Sequence, residues 1–290
     1  MEQSGRRTAG AAVRLGCIFA GKPGVSHTGL RKKREGSMKI TFLGTGAADF
    51  LPSLADADRF TVSRDIRRCT VTQLGENTLI DCGLHLTDEI KLHGISADKI
   101  ENILVTHLHG DHFCPSELKK LQAAQGGTLH VWHNEAEEMP PVDGVVYHPM
   151  RLFQPCAVGA LTVTSLPANH VRNAVHYSIE GDGKRLFYGC DGAWFLTETF
   201  AYMMGRDYDA MILDATVGDY TGDYRLAEHN SIPMLRLMLP SFRTCKIAGP
   251  HTKLILDHLA RTLHKSHAET CALVERDGFV VAYDGMTLEV

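Results

Sequence analysis

No apolar run in the chain approaches the roughly 20 residues that span a bilayer, and its most apolar early stretch, "AAVRLGCIFAG", is short and broken by Arg14. A membrane span and a secretory leader are both disfavoured on that ground. "RLGC" at Cys17 also lacks the apolar residue that a lipoprotein processing site wants three positions earlier. Paired cysteines are missing too: the eight, at 17, 69, 82, 114, 156, 190, 245 and 271, never fall within four residues of one another, which excludes a CxxC zinc knuckle. Reduced, buried small residues in a cytoplasmic protein are the simplest expectation. Positive charge is scarce over most of the chain. Residues 1–37 hold eight Lys/Arg against Glu2 and Glu35, a net of +6, so the remaining 253 carry −10 of the overall −4. A body that acidic is a poor general binder of polyanions.

At 290 residues and 44% hydrophobic, the chain can bury a substantial core. Residues 1–37 lack periodicity and carry the basic run "RKKRE". They are expected to be a disordered basic extension, either upstream of a natural start at Met38 or serving as a nucleic-acid-binding arm. From Met38 onward, strand-like runs recur: "KITFLG", "CTVTQLG", "NTLIDCG", "NILVTH", "TLHVWH", "LTVTSLP", "AVHYSIE", "RLFYGC", "AMILDA" and "FVVAYDG". Helical patterns lie between them: "HLTDEIKLHG", "PSELKKLQAAQGG" with Ser116 as N-cap, "FLTETFAYMMG", "SIPMLRLML" and "SHAETCALVERDG". Hairpins mixed with helical crossovers predict mixed sheets with helices outside, in a single domain over 38–290. No short-period repeat is present.

The chemistry is concentrated in "THLHGDH", residues 106–112. His107 and His109 are two apart, so on extended backbone their side chains leave one face and can share a cation. Asp111 and His112 follow as the chain turns toward a helix, close enough to serve a second one. At this chain's own His and Asp frequencies, HxHxDH arises by chance on the order of a few times per thousand such chains. Surface histidines in a loop are the plainer alternative. Three further strand ends deliver His170 in "LPANHVRN", Asp191 in "FYGCDGAW" and His258 in "KLILDHLA". Ligands gathered from separate strand ends are what a site on the rim of a sheet requires.

This set resembles the five motifs of the metallo-β-lactamase superfamily over about residues 38–290, which implies an αββα sandwich. Asp81 in "NTLIDCG" matches the first motif and implies a supporting rather than ligating role. The resemblance further implies that His107, His109 and His170 hold one metal and Asp111, His112 and His258 the other, with Asp191 bridging. "KITFLGTGAA" and "VAYDGMTLEV" are similar to the branch of transfer-RNA 3′-processing endonucleases and the phosphonate-pathway cyclic phosphodiesterase. In "EHNSIPML", His229 resembles that branch's proton donor. The Cys cluster that follows "GTGAA" in the phosphonate enzyme, and the long Gly-rich arm of some endonucleases, are both absent here.

Two cations about 3.5 to 4 Å apart lower the pKa of a bridging water, giving a hydroxide nucleophile at neutral pH. His229 is then the candidate acid for the leaving oxygen, with Asp111 orienting the attack. The expected activity is a di-metal phosphodiesterase on a small or cyclic phosphodiester. Lactone or thioester hydrolysis, RNA 3′-end cleavage and a non-catalytic metal scaffold are the alternatives. A redox role fits less well, because the diiron branch has an acidic residue where this chain has His109. Zinc is the expected metal, with manganese and iron left open, as is the choice between monomer and homodimer.

The remaining histidines have plainer readings. His251, His264 and His267 compete with His258, which is preferred because it directly follows "KLIL". His264 is expected to line the pocket, and His267 to cap or face solvent. His85, His93, His130, His133, His148 and His176 are expected to be surface or half-buried. Cys190 should point away from the metals, and Trp194, Phe195, Met203 and Met204 should pack in the core. Asp214, Tyr220 and Tyr224 are weaker candidates on the same rim.

Overall fold

The alternating and continuous apolar runs form strands that are buried on both faces, which places them in the middle of a layered structure. The computed structural model describes residues 36–49 and 60–290, all within one unit, Arg34–Val290. The expected N-terminal extension, 1–37, lies outside the described residues except for its last two.

Two seven-stranded mixed sheets face each other. The first holds β1 (Lys39–Gly44), β2 (Val71–Leu74), β3 (Thr78–Ile80), β4 (Asn102–Leu104), β5 (Leu129–Asn134) and β6 (Val145–Met150), with β14 (Thr287–Glu289) on the outer edge of β1. The second runs from β7 (Pro155–Val158) through β8 (Leu161–Pro167), β9 (Val175–Gly181), β10 (Lys184–Gly189), β11 (Tyr208–Asp214) and β12 (Ala248–Asp257) to β13 (Phe279–Val281). β3 to β6 pair in parallel, as do β10 to β13, while the other half of each sheet is antiparallel.

Ile40, Phe42, Tyr177, Tyr188, Ile212 and Ile255 fill the space between the sheets. Helices α1 (Leu86–Leu92) and α2 (Pro115–Gln125) cover the outer face of the first sheet through Leu86, Leu118 and Leu121. Helices α3 (Thr197–Met203), α4 (Ile232–Thr244) and α5 (His267–Val274) cover the second. This is the expected helix–sheet–sheet–helix sandwich. α4 shows why the layers hold. Its Ser231 cap accepts the Met234 N–H, and Ile232, Leu235, Met238, Leu239 and Phe242 recur on one face and bury against the sheet. Each such side chain stabilises by about 1.5–3 kcal/mol, and Phe242→Ala would cost about 3–5 kcal/mol.

Some local expectations differ from the structure. Ser116 is not the cap of α2: Pro115 already occupies the first helical turn with its fixed φ, which moves the cap to Cys114. β6, β7 and β14 are strands without a clear apolar signal, and β12 begins well before "KLIL". These additions extend the sheets without moving the rim. Asp81, the His-rich loop, His170, Asp191, Asp214 and His258 all lie at or just beyond the carboxyl ends of strands, where open α/β layers place their ligands.

Candidate metal centre

Beyond β4 the chain runs directly into Thr106–His112, a loop held close against the extension of β3. Cys82 N–H donates to the His112 carbonyl at 2.8 Å and Leu84 N–H to the Gly110 carbonyl at 3.1 Å. Between these bonds sits Gly83, where a Cβ atom would lie 1.7 Å from the Asp111 carbonyl oxygen. Only glycine permits that approach. The loop then presents His107 Nε2 3.0 Å from His109 Nδ1.

The second sheet supplies the rest. His170 Nε2 lies 3.2 Å from His109 Nδ1, so His107, His109 and His170 form one group of converging nitrogens. Asp111, His112, Asp191 and His258 form a second group, all four residues buried. Within it, Asp191 Oδ2 is 3.1 Å from His112 Nε2, and Asp191 Oδ1 is 3.0 Å from His258 Nε2. Asp111 Oδ2 lies 3.4 and 3.5 Å from the same two nitrogens. Asp191 Oδ2 also stands 3.8 Å from His107 Nε2 and 3.7 Å from His170 Nε2, so one carboxylate joins the two groups. His258 reaches the site with φ at +57°, a backbone region that is costly for a side-chain-bearing residue.

Hydrogen bonds behind the rings fix which nitrogen faces inward. His112 Nδ1 donates to Asp81 Oδ2 at 2.7 Å, and His170 Nδ1 donates to the Glu228 carbonyl at 3.1 Å. Thr106 Oγ1 gives its only proton to Asp81, so at 3.1 Å it accepts from His107 Nδ1. Thr216 Oγ1 donates to Asp214 Oδ1 and accepts from His258 Nδ1 at 2.7 Å. In the neutral rings, four Nε2 lone pairs therefore point to the centre. Two of them, on His112 and His258, face each other at 3.1 Å, and the buried Asp191 Oδ1 has no hydrogen-bond partner there. Acceptors converging without a donor are the donor set of divalent cations, and the residues fit that group.

Electrostatics agree. Burial works to lower the His112 pKa, yet the Asp191, Asp111 and Asp81 carboxylates raise it well above its ordinary value. Without a cation the centre draws in protons; a cation supplies the same compensation. Burial lowers His107 and His170. Asp191 is held well below the usual carboxylate range against its burial, chiefly by His112 and His258.

His229 stands beside this set. Its Nδ1 donates to Asp214 Oδ2 at 2.8 Å, its ring stacks on His258 with centroids 5.4 Å apart, and it lies 4.9 Å from the His170 ring. Burial opposes its protonation, but Asp214, with Asp191 adding, pushes it up to about 9. Asp214 also accepts from the Thr216, Asn230 and Gly192 backbone N–H groups, which fixes the carboxylate itself.

All nine residues singled out from the sequence thus meet at one rim, with Asp81 behind His112 and His229 at the open side. His251 instead lies 3.5 Å from Asp207, and His264 Nε2 bonds the Ala215 carbonyl at 2.7 Å behind the rim. Several plainer readings need correction. His267 is buried against the Tyr283 ring, and Trp194 and Met204 are exposed rather than core. His176 is fully buried and donates to the Asp191 carbonyl at 2.9 Å, supporting the turn that carries that residue. Thr106, Thr216 and Asn230 carry no sequence signal beyond lying next to a motif residue.

Residues 76–238, more than half of the chain, match the family model of the beta-lactamase superfamily domain. The chain belongs to the metallo-β-lactamase superfamily. It is 40% identical over 77 residues to the zinc phosphodiesterase ELAC protein 1 of Homo sapiens, a stretch covering 27% of this chain and 18% of that protein. Over 117 residues it is 37% identical to the ribonuclease Z of Methanococcus maripaludis strain C6, covering 38% and 34%. The match thus spans a minor part of either relative. Zinc-bound PqqB from Methylobacterium extorquens shares the fold, with a TM-score of 0.67 at 19% identity over 87% of this chain and 100% of that one. Among the described residues, no helix is long and apolar enough to cross a membrane.

Proposed function

We propose that the protein is a di-metal phosphodiesterase acting on a small or cyclic phosphodiester. The observation that carries this reading is Asp191, whose carboxylate touches both ligand groups and so suits two cations rather than one. His107, His109 and His170 would hold the first ion, Asp111, His112 and His258 the second, with Asp191 shared. Zinc suits the imidazole-rich set and is named in the description of the human relative. When bound, such a pair supplies Lewis acidity at the phosphoryl oxygen and hydroxide at neutral pH.

The remaining work belongs to the chain's own residues. Asp81 and Thr106 keep the His112 and His107 rings turned so that Nε2 faces inward. Asp214 keeps a proton on His229, and because Nδ1 is committed to Asp214, Nε2 is the atom that delivers it to the leaving oxygen. Asp111, fixed between His112 and His258, orients the attack.

Hydrolysis of bis(p-nitrophenyl) phosphate by zinc-loaded protein tests the reading, with Asp191→Ala as control. Turnover that vanishes in the control is the expected result. A wild-type protein that carries two zinc ions yet leaves this ester intact would contradict it and favour lactone or thioester chemistry.

A further inference from the structure

A groove of about 630 Å³ opens beside the centre, and His170 forms part of its wall. It runs between the ends of β5 and β6 in the first sheet and the loop joining β8 to β9 in the second. That volume is in the range of small-molecule sites. Its charge is unusual for this chain. The body carries −10, yet the groove is lined by Arg151 and Arg172 against the single acid Glu135. Arg151 pairs with Glu135 at 3.1 Å in an exposed contact. The Arg172, Asn169 and Gln154 side chains make no hydrogen bond or ion pair among the described residues. A guanidinium and two amides with unused hydrogen-bonding capacity, two or fewer positions from a residue in the metal set or facing it across the groove, form a polar lining suited to an anion.

We propose that this groove binds a second phosphoryl group of the substrate, next along from the one being cleaved, with Arg172 as its principal partner and Arg151 as the second. The proposal rests on the phosphodiesterase reading and narrows it: the substrate carries at least two phosphates, and a simple cyclic monophosphate leaves the groove unfilled. Arg172 follows His170 by two residues on the same loop, which places both residues in the wall of the groove. The planar fork of arginine matches phosphate oxygens in pairs, and charge-assisted hydrogen bonds of this kind change affinity by about tenfold or more. An oligonucleotide strand and a compact diphosphorylated molecule both offer that chemistry.

The test is calorimetric binding to the full-length zinc-loaded protein. The probe is dithymidine joined by an uncharged methylphosphonate, which resists cleavage, carrying no terminal phosphate, a 5′-phosphate or a 3′-phosphate. The expected result is that one phosphorylated probe binds about tenfold or more tightly than the bare one, and that Arg172→Ala removes most of this preference while Arg172→Lys keeps part of it. Zinc content and melting temperature serve as controls for folding. Equal binding of all three probes, or a preference that survives Arg172→Ala, would overturn the proposal. Extending the favoured probe by four thymidylates separates the two sources. A further gain assigns the groove to a strand, and no gain assigns it to a compact molecule; either keeps the second phosphate. An Arg172-dependent preference without bis(p-nitrophenyl) phosphate turnover would remove the phosphodiesterase reading and leave the groove as a phosphate site. Turnover without preference would remove the groove alone.

Discussion

Asp81 on the first sheet and Asp214 on the second occupy matching places, each a fully buried carboxylate at a strand end that grips a threonine and a histidine. Asp81 binds Thr106 and His112, and through Thr106 it reaches His107. Asp214 binds Thr216 and His229, and through Thr216 it reaches His258. Their pKa shifts run in opposite directions. Burial raises the Asp81 pKa despite His112, whereas Asp214 is lowered against its burial by His229. The same pair of residues therefore acts in two ways: on one sheet it turns ring nitrogens inward, and on the other its carboxylate also raises the pKa of a ring outside the two groups.

The variant expected to separate the two devices most widely is Asp214→Asn. It should retain two zinc ions while hydrolysis of diesters with alkyl leaving groups falls by roughly 10²- to 10⁴-fold, because such oxygens need the proton. Diesters of p-nitrophenol, which leave without help, should lose far less. Equal losses on both substrate types would end the distinction. Gly83→Ala attacks the first sheet, since the new Cβ must push the Asp111 backbone away. A fall in turnover of about 10²-fold is expected on every ester, because displacement of reacting groups by about an ångström costs that much. Wild-type rates in this variant would show that the loop has slack.

Asp81→Asn should act on metal rather than on proton transfer, weakening zinc affinity by about 10- to 100-fold with no dependence on leaving group. A chelator competition assay reads this directly. The effect furthest from turnover lies behind the second sheet, in the stability contributed by His264, whose pKa burial lowers to about 4. The unfolded chain takes up this proton near pH 6.5 and the folded chain only near 4, so stability is full above 6.5 and is lost as pH falls between those values. The wild type should lose about 3 kcal/mol more than His264→Leu across that window in denaturant titrations. Parallel pH dependences would show that His264 is already solvated.

The first sheet's half of the candidate site was legible because its residues crowd into one short segment. HxHxDH places His107, His109, Asp111 and His112 in one loop, where spacing alone implies convergence. The second sheet contributes single residues from separate strand ends: a place after an apolar run marked His170, Asp191 and His258 as candidates, and resemblance to a family pattern was needed to select the two histidines from sixteen and to join all three into one site. The grip of Asp214 on His229 crosses 15 residues and depends on how β11 and α4 pack, which no local pattern encodes. β6 and β7 were hidden because they carry Pro149 and Pro155 and lie at sheet edges, half-exposed, where apolar alternation is not needed. His176 and Trp194 went the other way: a histidine fully buried beneath Asp191 and a tryptophan 46% exposed both defy residue-type averages.

On the reading proposed above, the two groups of converging side chains hold two ions through the one carboxylate of Asp191. Titration of metal-free full-length protein with zinc, against a chromophoric chelator, tests it most directly. Two equivalents are expected for the wild type and one for His109→Ala, whose exposed ring can be removed without disturbing the buried group. A single equivalent in the wild type, or two undiminished equivalents in the variant, would contradict it.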